Sequence, residues 1–318
     1  MAQTQTDEGA SITTQEAPEI AVIIPHFNDW GRLELCLDAL AAQTLPADCF
    51  EVVVVDNGSS DWKPEIVERF PFARIIKETK VGSYAARNAG INATTSKLLA
   101  FTDSDCIPDP SWLEHGIKFL LDNPALGYLG GRIDLFPKEP ESPRGVELFD
   151  MIFGLNQKSN IEVFDFAATA NMITRRQEMD RHGMFDDQLK SGGDKEWGNR
   201  LNEADRTFSF VDDVLVLHPA RFTLEDLLRQ ARRHAGGRMD TRISQGRKYR
   251  PFTFHFWKTV ARTLLPPFYM FGRAYRSPVW RTHGWLALLK VFVVATFVHY
   301  NRFWGMIRSR WGAESERQ

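Results

Sequence analysis

The first hundred residues alternate between short apolar runs and stretches with helical spacing. Ile20 to Pro25 (IAVIIP) is continuously apolar and stopped by proline, which predicts a strand buried on both faces within a parallel sheet. Leu33, Leu37 and Leu40 follow at the i, i+4, i+7 spacing of a helix. Glu51 to Asp56 (EVVVVD) reads as a second strand, closed by Asn57-Gly58-Ser59-Ser60. Ala73 to Glu78 reads as a third, Gly82 to Ala93 as a helix, and Leu98 to Thr102 (LLAFT) as a fourth strand. This alternation predicts a doubly wound, mostly parallel α/β sheet flanked by helices. Ligands of such sheets bind outside the carboxyl ends of the strands. Polar clusters fall at those ends: His26 to Asp29, Asp56-Asn57, and Asp103-Ser104-Asp105.

The second half is less regular. Gly127 to Phe136 reads as a strand, Asp194 to Glu203 as a helix opened by an acidic residue, and Thr207 to Leu217 as a strand ending at His218-Pro219. Beyond Thr223 the arginines multiply among aromatic residues. Gly284 to Tyr300 is a run of 17 apolar-leaning residues with Lys290 inside it, flanked by Trp280, Trp285, Trp304 and Trp311. Three regions follow: a disordered polar tail at 1–18, a catalytic α/β domain at 19–222, and a basic, aromatic-rich helical extension at 223–318.

Charge sharpens that division. The net charge of the 318 residues is −2. Residues 221–318 hold 19 Lys and Arg against 5 Asp and Glu, a net of +14, and the remainder holds 20 against 36, a net of −16. A basic segment of that kind expects an anionic partner, nucleic acid or a membrane surface. Cys36, Cys49 and Cys106 form neither a disulfide framework nor a CxxC zinc motif, which fits a reducing compartment. The N-terminus lacks the basic and apolar regions of a signal peptide.

The chemistry centres on Asp103 and Asp105. Side chains two apart in extended backbone share a face. Two carboxylates so placed suit a hard divalent cation, Mn²⁺ or Mg²⁺, which also binds substrate phosphates. The alternative is a loop aspartate capping the helix that begins near Pro110. Asp56 can accept hydrogen bonds from a base or ribose, or simply form the Asp-Asn-Gly turn. Asp194, after Gly192-Gly193, can be a general base, an N-terminal helix residue, or both. His218 is a metal ligand or a satisfied core histidine.

Together these residues resemble inverting glycosyltransferases of family 2, which have the GT-A fold. The resemblance runs from about Ile20 to about Gly237. It rests on Val22-Ile23-Ile24-Pro25-His26-Phe27-Asn28, on Val54-Val55-Asp56-Asn57-Gly58-Ser59-Ser60-Asp61, and on Ala86-Arg87-Asn88-Ala89-Gly90. It continues through Phe101-Thr102-Asp103-Ser104-Asp105-Cys106-Ile107-Pro108, Ala170-Asn171-Met172 and Gly192-Gly193-Asp194. The resemblance implies that Pro25, Phe27, Asp56 and Arg87 line the nucleotide pocket and that Asp103 contacts ribose or base. It implies that Asp105 holds a divalent cation, with His218 as second ligand, and that Asp194 is the catalytic base. The family's usual pattern at the base is Glu-Asp, whereas this chain has Gly-Asp, so Glu196 enters as a substitute acidic partner. Gln230-Ala231-Arg232-Arg233-His234 is similar to the QxxRW sequence of processive synthases, with His in place of Trp. Gln230 and Arg233 are then contacts for acceptor or diphosphate in a non-processive enzyme.

The implied activity is a hexosyltransferase: transfer of one sugar from a nucleoside-diphosphate sugar, UDP being the commonest nucleotide of the family, to a hydroxyl of a saccharide or lipid-linked acceptor in surface polysaccharide or glycolipid assembly. A sugar nucleotidyltransferase is the first alternative, disfavoured because His26-Phe27-Asn28-Asp29 stands where a Gly-rich basic loop would hold a triphosphate. A non-catalytic membrane-surface protein with a degenerate site is the second, and the intact Asp56, Asp103, Asp105 and Asp194 argue against it. No GxGxxG follows the first strand, which excludes a Rossmann dehydrogenase. The 17-residue run is at the lower limit for spanning a bilayer, and in-plane lodging with Trp at the interface fits as well. The expected place is the cytoplasm, at the inner face of the cell membrane. Basic residues interleaved with apolar runs, without a nucleic-acid motif, exclude nucleic acid as partner.

Overall fold

The computed structural model describes residues 18–231 and 267–310. The expected tail at 1–18 therefore lies outside the described residues except for Pro18, and so does Arg233.

Eight strands form one sheet in the order β3-β2-β1-β4-β7-β6-β8-β5. The apolar runs supply its centre: β1 (Ile20–His26), β2 (Phe50–Asp56), β3 (Ala73–Lys77) and β4 (Leu98–Thr102). β1 pairs in parallel with β2 and β4, and β2 with β3. Ile20 to Ile24 and Val52 to Val55 are fully buried, as strands covered on both faces require. Helix α1 (Trp30–Ala41) buries Trp30, Leu33, Cys36, Leu37 and Leu40 on one side of the sheet. Between β2 and β3 lies the single turn α2 (Glu65–Glu68), and α3 (Ser83–Asn92) connects β3 to β4.

Beyond β4 the sheet departs from the parallel arrangement. The short β5 (Ile107–Pro108), β6 (Leu126–Phe136), β7 (Asn171–Arg175) and β8 (Thr207–Pro219) follow. β7 runs antiparallel to β4 and β6, and β5 antiparallel to β8, while β6 and β8 are parallel. The expected mostly parallel sheet is thus parallel in its first four strands and mixed beyond. A parallel partner would need another crossover, whereas β7 enters beside β4 after the helices α4 (Trp112–Asp122), α5 (Gly145–Phe153) and α6 (Gln157–Phe164). Two further helices, α7 (Arg176–His182) and α8 (Gly193–Glu203), lie between β7 and β8.

The pairing of β5 with β8 decides the site. Ile107 is opposite Leu217 and Pro108 opposite Val216. In an antiparallel ladder the next residues outward also face one another, so the chain just after Asp103 and Asp105 meets His218 at the end of β8.

After β8 come α9 (residues 224–231), then α10 (Phe268–Arg276), α11 (Val279–His283) and α12 (Trp285–Arg310). The expected helix at 284–300 is longer at its C-terminal end. Leu148, Phe149 and Ile152 of α5 form a separate core with Leu227 of α9, Met270 and Ala274 of α10, and Val291, Val294, Ala295 and Val298 of α12. Arg221 ties this layer to α5 through the buried Asp150 carboxylate at 2.9 Å. Among the described residues no helix is long and apolar enough to cross a membrane; α12 has the length, but Lys290, His299, Asn301 and Arg302 interrupt its apolar sequence.

Candidate active site

The carboxyl ends of β1, β2 and β4 form one edge. His26 and Asp56 are register partners there, and the loops beyond them are knotted together. Asn28, held at φ 59°, accepts from the Ser60 backbone N–H and donates its own N–H to Ser59 Oγ, each at 2.8 Å. Asn57 accepts the Gly82 N–H at 2.7 Å and donates to the Glu78 and Lys80 carbonyls, so the β2 end anchors the start of α3.

Asp56 divides its two oxygens between the turn and the open edge. One oxygen accepts the Ser59 N–H at 3.2 Å, the turn function. The other is buried with no hydrogen-bond partner among the described residues, a costly state unless a ligand donates to it. Both ring nitrogens of His26 and Nε of Arg87 are in the same condition. His26 packs on Trp30 with ring centroids 4.3 Å apart, and burial holds its imidazole below the usual range, hence neutral. Phe27 projects from the strand end and is 57% exposed, while Pro25 is half-buried within β1.

Neither Asp103 nor Asp105 caps a helix. The cap position of α4 is Ser111, which donates its N–H and Oγ to Asp109. Asp103 receives the buried Arg87 guanidinium. Asp105 lies 3.8 Å from His218 Nε2 and 3.5 Å from Arg32 Nη1. Burial, the largest influence, pushes its carboxyl above the usual range, and neighbouring Asp103 adds to this against His218 and Arg32. His218 Nδ1 is 2.9 Å from the Pro219 carbonyl. Donation there leaves the Nε2 lone pair toward Asp105, the tautomer a metal ligand needs. Ligand atoms of Asp103, Asp105, Cys106 and His218 lie within 4.8 Å of one another. The Cys106 thiol is fully buried beside two carboxylates and held well above its usual range, so it stays neutral. Two carboxylates and an imidazole fit a hard divalent cation.

Asp194 is in the first turn of α8, where Gly192 rather than a polar side chain is the cap. It accepts from the Lys195 N–H at 2.9 Å and from the Tyr84 hydroxyl at 3.3 Å. Burial raises its carboxyl above the usual range, partly offset by the Lys195 N–H, Arg87 and Tyr84.

The structure thus brings Asp56, Arg87, Asp103, Asp105, His218 and Asp194 to one edge. It does not bring Glu196 to Asp194 as an acidic partner: Glu196 pairs with Arg200 one turn along α8, at 2.8 Å, because the i, i+4 positions of a helix adjoin. Gln230 sits on α9, the helix that packs Leu227 into the C-terminal layer. Asn171 is a structural knot, accepting from Trp112 Nε1 and donating to the carbonyls of Arg132 and Val214, each at 2.8 Å. Sequence reasoning missed Tyr84 and Arg32. No local motif marks them, since each acquires its contact only when α3 meets α8, or α1 meets the loop between β4 and β5.

Comparison with known proteins agrees with this geometry. Residues 21–180 match Glycosyl transferase family 2. Glycosyltransferase AglE of Haloferax volcanii is 33% identical over 262 residues, covering 81% of this chain and 85% of that protein. The mannosyltransferase PcManGT from Pyrobaculum calidifontis, solved with GDP-Man and Mn²⁺, superposes with a TM-score of 0.61 at 20% identity, over 94% of this chain and 88% of that one. The S. aureus TarS fragment 1–349, solved with UDP, superposes with a TM-score of 0.51 at 19% identity, over 92% and 89%. These structures share the fold, and the sequence relationship removes the nucleotidyltransferase alternative. By the match over residues 21–180 and the kinship with AglE, this chain belongs to glycosyltransferase family 2, as a hexosyltransferase-type enzyme on the GT-A fold.

Proposed function

We propose that the enzyme moves one sugar from a nucleoside-diphosphate sugar, most simply a UDP-sugar, to a hydroxyl of a saccharide or lipid-linked saccharide, with inversion. The observation that carries this is the meeting of Asp103, Asp105 and His218 within 4.8 Å beside the unpartnered Asp56 oxygen. Asp56 accepts a base or ribose donor, Phe27 and Pro25 flank the base, and Arg87 holds Asp103 in place to meet the ribose. Asp105 and His218 hold a divalent cation, Mn²⁺ or Mg²⁺, which supplies Lewis-acid stabilisation of the charge growing on the departing diphosphate.

Asp194 takes the acceptor proton as the hydroxyl oxygen attacks the anomeric carbon. A base opposite the leaving group leads to inversion in one displacement. Its carboxyl, raised by burial, is a stronger base than an exposed aspartate. That the neighbours PcManGT and TarS were solved with GDP-Man and UDP supports a nucleotide-sugar donor here without choosing between the two nucleotides.

The acceptor side is read from the C-terminal layer. Residues 267–310 contain seven Lys and Arg and no Asp or Glu. Phe268, Tyr269, Trp285, Leu289, Phe297 and Trp304 are exposed on α10 and α12. An apolar, aromatic surface with only positive charge suits lodging in the headgroup region of an anionic membrane, at the cytoplasmic face, where a lipid-linked acceptor would be met. Arg233 and Gln230 remain candidate contacts for acceptor or diphosphate.

Calorimetric titration of UDP, GDP and dTDP with Mn²⁺ and with chelator tests the donor site. Wild type is expected to bind one nucleotide in a metal-dependent manner and Asp105→Ala to lose at least tenfold in affinity. Failure of all three nucleotides to bind in both conditions would overturn the reading.

A further inference from the structure

Tyr84 stands beside Asp194 and hydrogen-bonds to it. It lies in the first turn of α3, 7% exposed, and its hydroxyl donates to Asp194 Oδ1 at 3.3 Å. The ring is fixed on its other sides. It packs on Phe185 with centroids 5.8 Å apart, and Asn88, one turn along α3, clamps Phe185 by donating to its carbonyl at 2.8 Å and accepting its N–H at 3.2 Å. The Arg87 guanidinium lies 5.7 Å from the ring centroid and continues to Asp103.

The same ring occupies the space next to position 193. A Cβ at Gly193 would come within 2.8 to 2.9 Å of three Tyr84 ring carbons, so any side chain there must displace the ring. The glycine before Asp194 and the tyrosine on α3 therefore fit one another: the ring fills the space that a side chain at 193 would need. We infer that Tyr84 is a positioning residue for Asp194, replacing a second acidic side chain with a neutral hydrogen-bond donor.

The electrostatic consequence differs from that of a carboxylate pair. A second carboxylate would repel the charged base and raise its proton affinity. A phenol donating to the charged form lowers it instead, and fixes which oxygen faces the acceptor. Burial and the Asp194 charge push the Tyr84 hydroxyl above its usual range, so it stays protonated and can only donate. The charged and titratable groups facing Asp194 are Tyr84 and Arg87 from α3, Asp103 from the end of β4, and the Lys195 backbone of its own helix. The two α3 residues, three apart, thus tie the base to the donor-side carboxylate through one helix.

The inference rests on reading Asp194 as the base, and the test separates the two. The full chain is labelled with ¹³C at aspartate carboxyl carbons, and Asp194 is assigned with Asp194→Asn. Tyr84→Phe keeps the ring and removes only the donor. It is expected to move the Asp194 titration upward by about one pH unit, to shift the acid limb of donor turnover the same way, and to leave nucleotide affinity within about twofold. Gly193→Ala, which pushes the ring aside, is expected to move the Asp194 titration in the same direction, and to have no such effect in a Tyr84→Ala background. An unchanged Asp194 titration in folded Tyr84→Phe overturns the role for Tyr84. Full transfer activity in Asp194→Asn would instead overturn the base assignment, whatever Tyr84 does to the carboxyl.

Discussion

Burial holds the Asp105 carboxyl above its usual range, and His218 and Arg32 offset only part of that cost. A carboxyl whose proton affinity is higher in the folded chain than in the unfolded one destabilises the fold when ionised. The cost is absent at low pH, grows as pH rises through the carboxyl range, and is fully present above the folded value. Asp105→Asn removes it. The metal-free variant is expected to gain about 1 kcal/mol, or about 2–4 °C in Tm, at neutral pH. The gain should vanish on acidification, when the wild-type carboxyl takes up its proton. Addition of Mn²⁺ should raise the Tm of wild type and leave Asp105→Asn where it was. Thermal melts at several pH values with and without metal decide it, and an equal metal response in the two proteins would refute the ligand role of Asp105.

At the scale of elements, α3 carries more of the site than any other helix. Its start is tied to Asn57, and Tyr84, Arg87 and Asn88 reach Asp194, Asp103 and Phe185 in turn. Such reach requires α3 to lie close on the sheet, and Gly90 permits it: a Cβ there would meet Ile23 Cγ2 at 2.5 Å and Val55 Cγ2 at 3.2 Å. Gly90→Ala must push the helix off β1 and β2 or crowd the core, at about 1–3 kcal/mol. Denaturant unfolding should show that loss, and metal-dependent nucleotide affinity should fall with it because Arg87 and Asp103 move apart. Neutral stability would mean that the core yields more easily than its full burial suggests. On α5, Leu148 is buried in the cluster that α5 forms with the C-terminal helices. Leu148→Ala is expected to cost about 2–5 kcal/mol by the same measurement, since the extension is packed on α5 and not merely appended.

For the whole molecule the charge division becomes a question of orientation. The C-terminal layer joins the sheet through Arg221 and Asp150, only three residues beyond His218. The positive, aromatic surface is therefore attached close to the strand end that serves the site. The full chain is expected to sediment with vesicles containing phosphatidylglycerol, and less with purely zwitterionic ones. Trp285→Ala combined with Leu289→Ala should weaken that binding at least tenfold without changing nucleotide affinity. High salt should weaken it further, because the basic residues act through screened charge. Equal recovery in the supernatant with and without anionic vesicles would count against a membrane surface as partner.

The sequence by itself determined the four parallel strands, their helices and the polar clusters at their ends. Those features depend on local periodicity and on what an apolar run of five or six residues can do. It also marked Asp56, Asp103 and Asp105, which stand just past buried strands, and Asp194, which opens a helix after Gly192-Gly193. Tertiary structure alone decided how β7, β6, β8 and β5 complete the sheet, since strand order beyond the first crossovers leaves no periodic trace. It decided that His218 belongs to the site, because only the antiparallel pairing of Ile107 with Leu217 carries it to Asp105. Glu196 went to Arg200 because an adjacent helical turn is nearer than any partner across the cleft. Tyr84 became the neighbour of Asp194 through the contact of two helices 110 residues apart in sequence, a proximity that no reading of either segment alone contains.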